Sequence, residues 1–309
     1  MDEQRLAVLI PCYNEEATIA TVVGDFHEAL PEATIYVYDN NSSDRTVEFA
    51  AQAGAVVRNE RLQGKGNVVR RMFADIDADI YVMVDGDDTY DASDAPRLVS
   101  CLRENLLDMV NGRRVSEVEA AYRLGHQFGN RLLTGMVASI FGNRFQDMLS
   151  GYRVFSRRFV KSFPALTTGF EIETELTVHA LELRMPVDEV DTAYKERPEG
   201  SVSKLNTLQD GFKILKVIFI LIKEERPIQF FSIIAVVLMI LSVLLVAPLF
   251  VTYLDTGLVP RFPTAILAVG IMLLGFLSFF TGLVLDTVTH GRRELKRLHY
   301  LGIKVVSGK

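Results

Sequence analysis

The sequence predicts an α/β domain built on a mainly parallel sheet, followed by a two-helix transmembrane hairpin. Three observations carry this. Strand-like apolar runs alternate with helical patterns over the first hundred residues, as in a parallel sheet joined by right-handed crossovers. The polar clusters of that region fall directly after the strand-like runs, where such a sheet collects its ligands. Two long uncharged apolar stretches then follow residue 226.

The strand-like runs are Leu6–Ile10, Thr34–Tyr38, Ala55–Val57, Ile80–Val84 and Asp108–Val110. Helical patterns at Glu15–Leu30, Ser43–Ala53 and Lys65–Asp75 separate the first four. The first run ends in PCYNEE (Pro11 to Glu16), the second in DNNSSDRT (Asp39 to Thr46) and the fourth in DGDDTYD (Asp85 to Asp91). Asn14, Glu15 and Glu16 suit the entry of one helix, and Asn41, Ser42, Ser43 and Asp44 suit the next. Asp39 ends its strand before any cap is needed, which marks it as functional.

The membrane segment reads directly. Phe230–Leu254 and Phe262–Leu285 contain no charge, and each exceeds the roughly 20 residues that cross a bilayer as helix. Lys213, Lys216, Lys223 and Arg226 precede the first stretch; Arg292, Arg293, Lys296 and Arg297 follow the second. The connecting DTGLVPR holds only Asp255 and Arg261, so the positive-inside rule places both termini in the cytoplasm. The expected organisation is a cytoplasmic domain over 1–206, an amphipathic juxtamembrane helix over 207–226, a hairpin over 227–289 and a basic cytoplasmic tail over 290–309. The alternative for 207–226 is a core helix of the soluble domain.

Composition narrows the function. Apolar residues make up 49%, the mean hydropathy is +0.20, and the net charge of −6 with a pI near 5.5 argues against a nucleic-acid binder. Cys12 and Cys101 have no ligand spacing, the five histidines have none either, and no signal peptide opens the chain. Asp85, Asp87, Asp88 and Asp91 crowd like charges at one strand end, which calls for a positive partner. An Asp-x-Asp after a buried strand supplies hard oxygen ligands for Mg²⁺ or Mn²⁺, with a diphosphate completing the shell. The LQGKGN loop, with Lys65 between two glycines, enters a helix whose amino terminus favours anions; it matches neither a Walker loop nor a dinucleotide fingerprint.

PCYNEE, DNNSSDRT, GKGNVVRRMF, VDGDDTYD, NGRR, DMLSGYRVFSRR and YKERPEGSVSK occur in that order. Together they resemble glycosyltransferase family 2, with its Rossmann-like GT-A fold, and within it the dolichyl-phosphate mannosyltransferases and bacterial polyprenyl-phosphate glycosyltransferases. The resemblance covers roughly residues 5–225. It implies that Pro11, Tyr13, Glu15 and Asp39 hold the nucleoside, with Lys65 and Arg114 also on the nucleotide. It implies that Asp85 and Asp87 bind metal and diphosphate, and that Arg153 lies near the sugar. Arg197, Ser203 and Lys204 match the loop that takes the acceptor phosphate, and Asp147 orients acceptor or sugar. Thr89 stands where related enzymes carry Gln, and Asp88 is extra, which leaves the third metal contact open. Glu171, Glu173 and Glu175 open a helix, with Glu173 in reach of the sugar. Arg123 and Arg131 lie in a long helical stretch that packs near lipid.

The implied reaction is an inverting, metal-dependent transfer of one sugar from a UDP- or GDP-sugar to undecaprenyl phosphate. It would run at the cytoplasmic face of a bacterial inner membrane, with a homo-oligomer left open. A lipid phosphate is already ionised, so the mechanism needs positioned anions rather than a strong base. Two other readings stand beside it. DGDDT fits the D-x-D-x-[TV] signature of haloacid-dehalogenase phosphatases, although that motif normally ends the first strand of its domain. A non-catalytic nucleotide-sensing scaffold is the second. A processive polysaccharide synthase is disfavoured, because the chain has no Trp and only two spans.

Overall fold

The structure, a computed structural model, describes residues 4–115, 134–135, 137–138, 142, 144–169, 171–195, 216, 219–220 and 222–304. The chain forms two compact units, Met1–Ile214 with Lys296–Lys309, and Leu215–Leu295.

In the first unit the described strands form one sheet: β1 (Leu6–Cys12), β2 (Thr34–Asp39), β3 (Val56–Asn59), β4 (Ile80–Met83), β5 (Met109–Val115), β6 (Arg153–Ser156) and β7 (Val187–Ala193). Their order is β3-β2-β1-β4-β6-β5-β7. β1 pairs in parallel with β2 and β4, β2 with β3, and β5 with β7. β6 runs antiparallel to both β4 and β5. The chain leaves β1 through α1 (Ile19–Ala29), β2, α2 (Thr46–Gln52) and β3, then returns through α3 (Lys65–Asp75) to β4 on the other side of β1. That reversal opens a crevice over the carboxyl ends of β1 and β4. Because β6 is reversed, its amino end, at Gly151–Arg153, meets the same edge.

Val8, Leu9 and Ile10 of β1 and Val82 and Met83 of β4 are fully buried. Each aliphatic side chain of this kind contributes about 1.5–3 kcal/mol. Such continuous apolar runs are what a strand covered on both faces requires. Phe26 of α1 and Leu98 of α4 (Ala95–Glu104) close the same core.

Several elements differ from the expected ones. α1 begins at Ile19 rather than Glu15, because residues 13–18 form a polar loop. β5 extends through NGRR to Val115, held by its register with β7. β6 and β7 were not anticipated; β7 carries Asp188, Glu189 and Asp191 and lacks an apolar run. The glutamates of GFEIETEL do open a helix, α6 (Ile172–Glu182), after the short α5 (Arg157–Ser162).

His179 of α6 is buried among Phe159 and Phe163, with its Nε2 3.2 Å from Ser162 Oγ. Burial, helped by the Lys296 charge, pushes its pKa down from 6.5 to about 3. The unfolded chain takes up a proton here that the folded ring refuses. Acidification from about pH 6.5 toward 3 therefore lowers stability by up to about 1.4 kcal/mol per pH unit. His179→Gln is expected to flatten the dependence of Tm on pH in that window; an unchanged slope contradicts this assignment.

The second unit holds α7 (Pro227–Thr256) and α8 (Phe262–Gly302) up to residue 295. Both helices are long and apolar enough to cross a membrane. Small residues let them approach: a Cβ on Gly282 would lie 2.9 Å from Phe231 Cβ, and Ser242 Oγ donates to the Ala268 carbonyl at 2.7 Å.

The segment expected as a basic tail continues α8 to Gly302, and its last turns belong to the first unit. Lys296 pairs with Glu182 at 2.7 Å, Arg297 donates to the Leu183 carbonyl, and Tyr300 OH donates to buried Asp108 at 2.6 Å. Asp108 also accepts from Ser156 Oγ and Arg158. Tyr300→Phe removes a donor from a buried carboxylate, and is expected to cost about 1–3 kcal/mol, read as a lower Tm in detergent. An unchanged Tm would contradict this.

Candidate active site

Three loops knit together over the crevice. Asn14, Asn41 and Asp88 follow β1, β2 and β4, and each has a positive φ (53°, 65° and 56°), a conformation non-glycine residues adopt under constraint. Asn14 Oδ1 accepts from Ser43 N at 2.8 Å, and Glu16 Oε2 from Arg45 N at 2.9 Å. These side chains were expected to cap their own helix; instead they satisfy backbone donors at the entry of α2. Thr18 Oγ1 donates to the Gly86 carbonyl at 2.7 Å and ties the first loop to the DGDD turn.

On the expected nucleoside side, Pro11 is half-buried at the end of β1, Tyr13 is exposed and Glu15 is buried. Glu15 N donates to Thr46 Oγ1 at 2.8 Å. Asp39 is 2% exposed and accepts from Ser42 N and from Asn59 Nδ2 at 3.1 Å.

The GKG turn works differently from the expectation. A Cβ on Gly64 would sit 2.2 Å from the Thr168 carbonyl oxygen, and one on Gly66 2.3 Å from that of Thr167. Gly66 N donates to the Thr168 carbonyl at 3.1 Å. The glycines admit a strap of the chain itself, and a protein carbonyl takes one donor at the amino terminus of α3. The turn thereby aims Lys65 into the crevice: Nζ lies 2.5 Å from Asp85 Oδ1 and 2.6 Å from Glu173 Oε1. Burial pulls the Lys65 pKa down, but Asp85 and Glu173 together outweigh it and hold the ammonium above its ordinary range.

Asp87 is buried and accepts from Thr89 Oγ1 at 2.6 Å, so the residue in place of the family's Gln orients this carboxylate. Gly151 presses on Asp85, where an added Cβ would lie 2.3 Å from Oδ2. Burial, opposed by Lys195, raises the Asp88 pKa. Among the described residues, no three His, Cys, Asp or Glu side chains form a ready-made metal cage.

Arg114 closes the far side. Its Nε and Nη2 each lie 2.7 Å from Asp147, and its guanidinium sits 5.5 Å from the Tyr194 ring centre. Glu189 supports this pair by accepting from Asp147 N and Asn111 Nδ2. Sequence reading assigned no role to Asn111, although it opens the NGRR motif, nor to Glu189, which lies in none.

Arg153 departs most from expectation. It is 0% exposed, and it donates to the carbonyls of Ser150 and Met148 and to Thr177 Oγ1. Burial lowers its pKa to about 10. It pins the turn that presents Asp147 and Gly151, so its place is in the framework rather than against the sugar. Arg197, Ser203 and Lys204 lie outside the described residues, as do Arg123, Arg131 and most of 207–226. Just before the 197–204 segment, Lys195 N donates to the Thr89 carbonyl at 2.8 Å and Nζ lies 3.3 Å from Asp91.

A family model for Glycosyl transferase family 2 matches residues 7–163, which span β1 through α5. The chain belongs to this family. Glycosyltransferase AglJ of Haloferax volcanii is 36% identical over 230 residues, 74% of this chain and 75% of that protein. A dolichyl-phosphate hexose transferase of the same organism is 28% identical over 222 residues, 72% of this chain and 95% of that protein. Among solved structures, Mycobacterium tuberculosis glucosyl-3-phosphoglycerate synthase superposes with a TM-score of 0.57 at 21% identity, over 70% of this chain and 80% of that one. That likeness establishes the GT-A fold of this family 2 glycosyltransferase. Membership also sets aside the phosphatase reading of DGDDT, which here ends the fourth strand in chain order.

Proposed function

We propose that this glycosyltransferase moves one sugar, with inversion, from a UDP- or GDP-sugar to a polyprenyl phosphate at the cytoplasmic face of the membrane. The observation that carries this is one chain that places Asp39, Asp85 and Asp87 at or just after the carboxyl ends of β2 and β4 and also carries two membrane-length helices. The similarity to a dolichyl-phosphate hexose transferase supports a lipid-phosphate acceptor. The basic flanks of the hairpin support cytoplasmic termini.

The residues present fit a divalent cation. Asp85 already holds a positive group, the Lys65 ammonium, and Asp87 adds a second hard oxygen donor. Two carboxylates are few, which suits a Mg²⁺ or Mn²⁺ ion that keeps substrate phosphates and water as its other ligands. When bound, such an ion neutralises charge on the leaving diphosphate.

The protein's own part is placement. Asp39 and the β1 loop hold the nucleoside side of the crevice, and Thr89 fixes the rotamer of Asp87. Asp147 is committed to Arg114, so it orients a cation rather than taking a proton. No protein base is required, because the acceptor oxygen arrives ionised. Arg197, Ser203 and Lys204 are the proposed phosphate grip.

The test offers detergent-purified protein a panel of UDP- and GDP-sugars with undecaprenyl phosphate and Mn²⁺ or Mg²⁺. Sugar label entering the organic phase with one donor supports the proposal. Label that stays in water with every donor refutes it.

A further inference from the structure

The pair made by Lys65 with Asp85 and Glu173 is more than a charge contact. The Lys65 side chain is 8% exposed, and its backbone is fixed by the close approach of the 167–168 strap to Gly64 and Gly66. Glu173 is 5% exposed; its Oε1 meets Lys65, while its Oε2 is buried without a hydrogen bond. An unsatisfied buried carboxylate oxygen is costly, and here it stands beside an ammonium it could hold with both oxygens. Two carboxylates thus share one lysine, and Glu173 has spare capacity to take it.

A divalent ion on Asp85 would sit about 2.0–2.1 Å from its oxygen. An ammonium 2.5 Å from Oδ1 occupies that space and repels the ion. Diphosphate changes the balance, because its negative charge offsets the repulsion and offers Lys65 another anion.

We propose that Lys65 is a built-in counter-ion that keeps a divalent cation off Asp85 until a nucleotide diphosphate arrives, and that Glu173 is the positioning residue that takes over Lys65 when the cation binds. The inference rests on the nucleotide-sugar reading above. It makes cation and nucleotide bind together instead of cation first.

The test is Mn²⁺ binding to the full-length protein in detergent, followed by electron paramagnetic resonance, first with Mn²⁺ alone and then with UDP and GDP in parallel. Lys65→Met leaves Glu173 buried without its partner and risks unfolding, so the Lys65→Met/Glu173→Gln double variant is the principal comparison. Wild type is expected to bind Mn²⁺ alone at least tenfold more weakly than the double variant. Glu173→Gln alone, which leaves Lys65 only Asp85 to hold, is expected to bind Mn²⁺ no more tightly than wild type. A nucleotide, whose phosphates ligate the cation in both proteins, is expected to tighten Mn²⁺ at least tenfold in wild type, and by a factor several-fold smaller in the double variant. Equal affinity of wild type and double variant for Mn²⁺ alone overturns the role of Lys65. Glu173→Gln matching the double variant overturns the role of Glu173. If neither nucleotide changes Mn²⁺ affinity in wild type, the nucleotide-sugar reading is what fails, while the comparison with Mn²⁺ alone still decides Lys65.

Discussion

Asp87→Asn is expected to lower kcat/KM for sugar transfer by roughly 10²–10³-fold or more, the scale of losing one preorganised electrostatic contact to the transition state. The substitution keeps the shape of the side chain and one oxygen for the bond from Thr89 Oγ1 at 2.6 Å, so the DGDD turn should survive. What it removes is charge, at a buried position beside Asp85. On the proposed mechanism the diphosphate gains negative charge as the sugar leaves, and these two carboxylates would hold the divalent counter-charge there. Asp85→Asn should behave similarly, with the added effect that Lys65 is left to Glu173 alone. Product formation measured beside a thermal melt separates the two parts. An unchanged Tm with activity within tenfold of wild type would remove Asp87 from the site.

Gly64→Ala is expected to destabilise the first unit by more than about 3 kcal/mol, a size reserved for strain and overpacking. Two causes add. The residue has φ = +124°, which an alanine adopts only with strain, and the new Cβ would lie 2.2 Å from the Thr168 carbonyl oxygen. The strap does not give way easily. Leu166 N and Thr167 N donate to the two oxygens of Glu175 at 2.8 and 2.9 Å, and Thr167 Oγ1 adds a third bond at 2.6 Å. In a domain of this size the change corresponds to a Tm lower by about 6–12 °C. Lys65 is the next residue, so Mn²⁺ and nucleotide binding should change with it. Gly24→Ala is the control: it lies on the exposed face of α1 with nothing within 4 Å of a new Cβ, and should be neutral or slightly stabilising. A Gly64→Ala protein that melts like wild type would show that the strap yields.

These two positions also show what sequence can and cannot reveal. Asp85 and Asp87 stand out in the sequence because a strand of β-formers ends in charge that nothing local explains. The βα alternation put that charge at the ligand edge, and α3 was bounded correctly at Lys65–Asp75. The glycines of GKG were legible as special but not in purpose, since the carbonyls they accommodate lie about a hundred residues later in the chain. The Lys65–Glu173 pair is separated by 108 positions, and no periodicity announces such a pairing. Arg153 misled for the opposite reason: a motif suggests a ligand contact, but only packing shows that its donors are spent on Ser150, Met148 and Thr177. The last turns of α8 read as a free basic tail because lysine and arginine dominate them. Their partners, Glu182 at the end of α6 and Asp108 just before β5, give no local signal.

The central claim is that the acceptor is a lipid phosphate whose own charge replaces a protein base. The most direct measurement offers purified enzyme, with its preferred donor and Mn²⁺, either undecaprenyl phosphate or the matching undecaprenol without phosphate, and identifies products by mass spectrometry. The expected result is one sugar added to the phosphate and no product from the alcohol. Efficient glycosylation of the alcohol would contradict the account, because a neutral hydroxyl needs a base that the Asp147–Arg114 pair is not arranged to provide.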